Sequence, residues 1–259
     1  MNNNQLELMT FGGHLEVLRR MLFRILTIVF ILAVIIFCCK SYIWSMLLAP
    51  SEYDFITYKV LERVMNSIGV EFRFDEFYID MIATGLSSQF MAHITTSIVL
   101  ALIGSSPYIL YELLRFISPA LYESEKKYSA LVVSIIYVLF MLGVLMSYYV
   151  IFPISFRFLG TYSVASKVHS AITLDSYIGT FTSLTFVMGL VFQLPLIMYV
   201  LAKMGLISYD LLAKYRKHAL IAIMLVAAII TPPDLMTLIL VTIPLYLLYE
   251  VSVRITKHI

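Results

Sequence analysis

The sequence predicts an all-α, polytopic integral membrane protein with six transmembrane helices, the last two short. Three observations carry that prediction. The 259 residues are 61% hydrophobic and only 13% charged, with a mean hydropathy of +0.93, whereas soluble domains are about 45–50% apolar and about 25% charged. The apolar residues gather into runs of roughly 20, the length that crosses a hydrocarbon core about 30 Å thick. The last run is interrupted by TPPD at 231–234, and two consecutive prolines cannot continue one helix.

Taken in order, the polar start leads through His14–Arg20 (HLEVLRR) into a first span over 21–43. Arg19 and Arg20 ahead of an apolar run imitate an export signal. The run, however, exceeds the roughly 7–15 residues of a signal h-region and no small-x-small cleavage site follows, so a retained span is expected. An extramembrane cap over 44–89 comes next. The polar stretch from Ser41 to Gln89 holds Glu52, Asp54, Glu62, Glu71, Asp75, Glu76 and Asp80 against Lys59, Arg63 and Arg73. Apolar spacing in Tyr58–Ile68 predicts a short amphipathic helix there, punctuated by Pro50, Gly69 and Gly85.

The second and third spans are expected over 90–111 and 128–152, the latter ending at Pro153, with a loop from Phe156 to Tyr177. The fourth, 178–202, contains Gln193 and Pro195. A polar side chain and a helix breaker at membrane depth are tolerated where neighbouring helices shelter them. The fifth and sixth are 219–231 and 235–250, and the whole of 1–259 reads as a single transmembrane domain.

Lysine and arginine placement sets the orientation. Six spans put the N-terminus, the 112–128 turn, the 203–218 turn and the C-terminus on one side, with twelve of the eighteen basic residues: Arg19, Arg20, Arg24, Arg115, Lys126, Lys127, Lys203, Lys214, Arg216, Lys217, Arg254 and Lys257. That side is cytoplasmic, and the cap faces the periplasm or its equivalent.

Several functional classes lose support. A net charge of +2 without a dense basic cluster argues against nucleic acid. Cys38 and Cys39 are adjacent inside an apolar run, and His14, His93, His169, His218 and His258 are scattered, so no metal site or cofactor is expected. No GxSxG, P-loop or GxGxxG signature is present, which argues against an enzyme. A small-molecule or ion transporter is the alternative class. Against it, Arg24, Lys40, Glu112, Asp234 and Glu250 all fall near span ends, and only Gln193 reads as well buried.

The stretch Pro107–Lys127 (PYILYELLRFISPALYESEKK) stands out as a polar turn between spans. Glu112, Glu123 and Glu125 beside Phe116 and Pro119 form an acidic surface suited to a cation. A guanidinium pairs bidentately with a carboxylate, so Glu125 or Glu16 can separate Arg from Lys by geometry. The other reading of Glu123 and Glu125 is a solvated turn paired with Lys126 and Lys127.

HLEVLRRML at 14–22, LLAP ending at Pro50, SSPYILYELLRFISPALYESEKK at 105–127, FPISFRFL at 152–159, FQLP at 192–195 and TPPD at 231–234 together resemble the TatC family of twin-arginine (Sec-independent) protein translocases, across nearly the whole chain. The resemblance implies a cup-like, concave six-helix protein of the cell inner membrane with both termini cytoplasmic. It implies a receptor for twin-arginine signal peptides that exports folded cargo on the proton-motive force, with single-span TatA-type and TatB-type partners and as a homo-oligomer within the complex.

Carried over, the signal-binding residues are Glu125, with Glu123, Phe116, Pro119, Leu121 and Tyr122 in the loop, and Leu18, Arg19 and Glu16 at the N-terminus. Gln193 and Pro195 take the intramembrane polar position facing partner helices, and Pro50 and Asp234 shape the periplasmic side. One departure stands out. The family pattern HLxELRxRL puts its glutamate at Val17 and its second basic residue at Met21. Glu16 lies one residue earlier, about 100° around a helix, and is expected to substitute partially through a shifted backbone.

Overall fold

The computed structural model describes residues 11–69, 71, 73, 77, 79–117, 129–163, 165 and 171–257. Eleven helices are found among them. The first is α1, Phe11–Cys38, followed by α2, Lys40–Leu48, a 3-10 turn at Ala49–Ser51, and α3, Ile56–Ser67. Next come α4, Ser88–Ile117, α5, Ser129–Met146, a π turn at Ser147–Ile151, and α6, Phe152–Thr161. The series closes with α7, Leu174–Val191, α8, Leu194–Lys203, α9, Tyr209–Lys214, α10, Arg216–Ile230, and α11, Leu235–Thr256. One short parallel pair, Met81–Ile82 with Ile172–Thr173, joins the cap to the segment before α7.

Five helical stretches among the described residues are long and apolar enough to cross a membrane: Leu15–Cys38, Ser88–Leu113, Val132–Thr161, Leu174–Lys203 and Leu235–Thr256. Helix α10, the expected fifth span, has 15 residues. At 1.5 Å per residue it extends about 22 Å, short of the hydrocarbon thickness. Of the two closing helices expected to be short, the first is short and the second is not. Helix α11 continues to Thr256, past the expected end at 250, because the backbone ladder does not stop where the apolar side chains do.

Two other boundaries differ from expectation for stated reasons. The third span does not end at Pro153. A π turn over Ser147–Ile151 hands the chain to α6, placing Pro153 in that helix's first turn, where a missing N–H is tolerated. The fourth span divides at Phe192–Gln193, and Pro195 occupies the first turn of α8 for the same reason. The expected cap helix is present as α3. It ends at Gly69, whose φ of +86° is the left-handed conformation that closes helices.

The helices pack in two units, one of Met1–Cys38 with Ser97–Tyr137, the other of Cys39–Thr96 with Val138–Ile259. In the first, α1 exposes Phe23, Leu26, Phe30, Ile31 and Ile35, as a helix bathed in lipid does. The second is built on aromatic packing. Phe152 meets Tyr177 and Phe181 edge-on, each at 5.0 Å, and Phe156 meets Tyr177 at 4.9 Å. Beside this cluster α5 and α7 approach backbone to backbone. A Cβ on Gly143 would collide with the Met188 carbonyl oxygen.

That approach distinguishes two glycines. Gly143→Ala is expected to lower the apparent melting temperature of the detergent-solubilised protein by several degrees, because backbone must move. Gly179→Ala, with no atom near its added Cβ, is expected to leave it unchanged or raise it, alanine being about 0.5–1 kcal/mol the better helix former. Thermal unfolding of both variants checks the pair.

Candidate functional site

Within the first unit, α1 and α4 run antiparallel, and two contacts fix their register. A Cβ on Gly104 would lie 3.0 Å from Leu32 Cδ2, so the helices come close where α4 carries no side chain. Eight residues along each helix, the Arg24 guanidinium donates to both oxygens of Glu112, at 3.2 and 3.4 Å. The Tyr108 hydroxyl donates to Oε1 of the same carboxylate at 3.1 Å, and Arg115 Nη1 stands 3.8 Å away. The Glu112 side chain is 5% exposed while those of Arg24 and Arg115 are 48% and 61% exposed. The carboxylate is thus withdrawn from solvent with donors of the same chain on its oxygens, which offsets the cost of burying it.

This corrects the expectation that Glu112 joins Glu123 and Glu125 in an open acidic surface: Glu112 is buried and already engaged by two guanidinium groups of its own chain. It also escaped notice as a buried group. Position 112 looked like a span end, whereas α4 runs on to Ile117. The available signal was an arginine and a glutamate, each within an apolar run, which are expected to seek each other.

The expected signal-binding residues are placed as follows. Glu16 lies exposed on the first turns of α1 and pairs with Arg20, four residues on. Arg19 is exposed and Leu18 half-buried, and both line a shallow groove along one face of α1 with Leu15, Leu22, Phe23 and Leu26. Phe116 is half-buried in the last turn of α4. Pro119, Leu121, Tyr122, Glu123 and Glu125 lie outside the described residues.

In the second unit, Gln193 is half-buried at the break between α7 and α8, and Pro195 is buried beside it. Asp234 caps α11, its Oδ1 accepting from Thr237 N at 2.7 Å. Pro50 is buried, and its carbonyl accepts from the Tyr58 hydroxyl at 3.0 Å, which also reaches the Pro153 carbonyl at 2.9 Å. The Arg157 guanidinium lies over the Tyr58 and Phe77 rings at 5.1 and 4.4 Å. Burial pushes the Tyr58 phenol well above its ordinary pKa, the Arg157 charge opposing. Sequence reasoning missed these contacts: Tyr58 lies 8 residues beyond Pro50, and Arg157, which lies over the Tyr58 ring, is 99 residues further on.

Helices of membrane length and a polar site at one end of an antiparallel helix pair define a polytopic membrane protein. Comparison with known proteins narrows this. The family model described as "Sec-independent protein translocase protein (TatC)" matches residues 13–244, and the chain belongs to that family. It is 34% identical over 260 residues to the TatC protein of Blattabacterium sp. subsp. Periplaneta americana, covering 99% of this chain and 98% of the relative. It is 35% identical over 175 residues to TatCy of Bacillus subtilis, covering 68% and 69%. A crystal structure of the twin arginine translocase receptor TatC aligns with a TM-score of 0.73 at 30% identity, covering 95% of this chain and 98% of its own. The same receptor crystallised in DDM aligns at 0.74, covering 94% and 99%.

The Tyr58 latch yields a test. Tyr58→Phe strips a donor from two carbonyls and is expected to cost about 1–3 kcal/mol, read as a lower melting temperature and faster proteolysis of the cap. Because the folded phenol's pKa is raised, the stability it contributes is fully present below about pH 10, the ordinary tyrosine value. It is lost as pH climbs through the raised pKa. The parent protein should therefore show an alkaline loss of cap protection that is smaller in Tyr58→Phe, the remainder coming from the phenols of Tyr148 and Tyr177, which titrate at alkaline pH as well.

Proposed function

We propose that this chain is the receptor and membrane core of a twin-arginine translocase, binding the Arg-Arg signal of folded cargo at its cytoplasmic face. One observation carries the reading. The α1–α4 pair brings the segment holding Glu16, Leu18 and Arg19 to the same end as Phe116, the last described turn before the loop with Glu123 and Glu125. Glu125 is the primary carboxylate in this reading, with Glu123 beside it in the sequence, and a guanidinium pairs bidentately with such a group. The exposed Leu15–Leu26 face offers an apolar wall for the residues that follow the arginines.

The fuller reading places the protein in the cell inner membrane with both termini cytoplasmic, following the lysine and arginine asymmetry. TatA-type and TatB-type single-span proteins assemble with it, alongside further copies of this chain, and the proton-motive force drives export. Gln193 and Pro195, at the break between α7 and α8, face partner helices, while Pro50 and Asp234 shape the opposite side. The transporter alternative is weakened by Glu112. Among the described residues of the first unit it is the buried carboxylate, and Arg24 and Arg115 already stand against it.

The test is site-specific crosslinking in native membranes between signal peptides and probes at positions 16, 17, 116 and 125. Arg-Arg peptides should crosslink and Lys-Lys peptides should not. Glu125→Ala should reduce capture about 10- to 100-fold, the effect of losing a charge-assisted hydrogen bond of about 1.5–3 kcal/mol. The relative yields at 16 and 17 decide whether Glu16 replaces the glutamate the family carries one residue later. Equal capture of both peptides would refute the receptor reading.

A further inference from the structure

We propose that Arg24 and Glu112 form a register latch that positions the two halves of the signal site against each other. The inference rests on the receptor reading above. Two of the contacts between described residues of α1 and α4 set a register: Leu32 with Gly104, and Arg24 with Glu112. Each is eight residues from the other on its own helix, in opposite chain directions, so both obey one antiparallel register. Continued by one turn, about 6 Å, that register brings Arg20 level with Phe116. Glu16, Leu18 and Arg19 then stand beside the end of α4, where the loop begins.

Among the described residues, the latch is the ion pair between the two helices nearest that end, with Met21 of α1 buried one turn closer. Leu32 and Gly104 hold the pair about two turns deeper, by apolar contact alone, and lipid gives apolar helices no hydrophobic reason to prefer one register. Glu112 does. Its carboxylate is 5% exposed and takes Arg24 on both oxygens, with Tyr108 on Oε1. A slip of one turn would carry Arg24 about 5.4 Å away and leave a buried charge short of its main partner. Arg115, on the same helix as Glu112, cannot replace Arg24 in this role, because it ties Glu112 only to α4 itself. Arg24 and Glu112 are thus positioning residues: neither is required to touch the signal, and both act through where they hold Arg19 and Phe116.

The experiment uses the full chain in native membranes with Cys38 and Cys39 replaced by alanine. Cysteines at 20 and 116 are joined by a short bismaleimide, and capture of an Arg-Arg signal peptide is read separately from a probe at 19 in chains that keep Arg20 and Phe116. Arg24→Ala and Glu112→Ala should each cut the 20/116 yield at least about fivefold and lower peptide capture in parallel. The exchange Arg24→Glu with Glu112→Arg should restore both to within about twofold, and because it retains the pair it also separates lost contact from lost folding.

Unchanged 20/116 yields in the single variants overturn the latch. Yields that fall while peptide capture holds overturn its positioning role. An exchange variant that accumulates like the parent but restores neither readout also overturns it. A parent that captures Arg-Arg and Lys-Lys peptides equally refutes the receptor reading instead, and the 20/116 yields still decide whether the pair sets the register.

Discussion

The constraint on which the rest of this structure depends is that the bilayer supplies no partner for a polar group, so each must find one inside the protein. The consequences are visible wherever the chain departs from plain helix. At the α5–α6 junction the backbone widens into a π turn and continues through Pro153. At Phe192–Gln193 it breaks for two residues and restarts with Pro195 in a first turn. At TPPD it stops, and Asp234 supplies the acceptor that the first N–H groups of α11 require. Serines and threonines within the helices turn back on their own carbonyls, as Ser105 does to Ala101 and Thr182 to Ile178.

The same constraint explains the cap. A polar segment on an apolar body needs specific anchors, and Tyr58 provides one by donating to the carbonyls of Pro50 and Pro153, residues that cannot donate in return. Arg157 lies against the rings of Tyr58 and Phe77, extending the contact from a hydrogen bond to a stack. The short strand pair between Met81–Ile82 and Ile172–Thr173 adds backbone bonds at the foot of the same unit, and Thr173 then caps α7.

Fold class was legible because it depends on composition and run length, which survive without coordinates. The all-α architecture, the cap helix and the break at TPPD followed from apolar periodicity and from proline's missing N–H. Helix ends were less legible. Hydropathy marks where a helix meets water, while hydrogen bonding decides where it ends, and α4 and α11 both outrun their apolar stretches. The length of α10 was the reverse case: the expectation of a short helix rested on Pro232, and Pro232 does terminate it. In the site, single residues were readable and pairings were not. Glu16 could be seen one position from the family's glutamate, but its engagement with Arg20 required the helix to extend back past residue 16, ahead of the expected span. Glu112 could be seen as acidic, but its burial required a partner 88 residues away.

The pairing at Glu112 shows why a membrane protein would keep an ion pair where an apolar contact would pack as well. Two apolar helices in lipid gain little from one register over the next, since lipid tails solvate either face equally. Gly104 narrows the choice by letting Leu32 approach closely, yet a dispersion contact weakens gradually with displacement. A carboxylate at 5% exposure behaves differently. Displaced by one turn it loses a two-oxygen contact and stays desolvated, so the penalty is abrupt. Arg24, at 48% exposed, keeps access to polar surroundings while serving as partner, which spares the pair the cost of burying both charges. The register of α1 on α4 is therefore set by a charge placed one turn inside the end of the pair, where any error in register would be carried directly to Arg19 and Phe116.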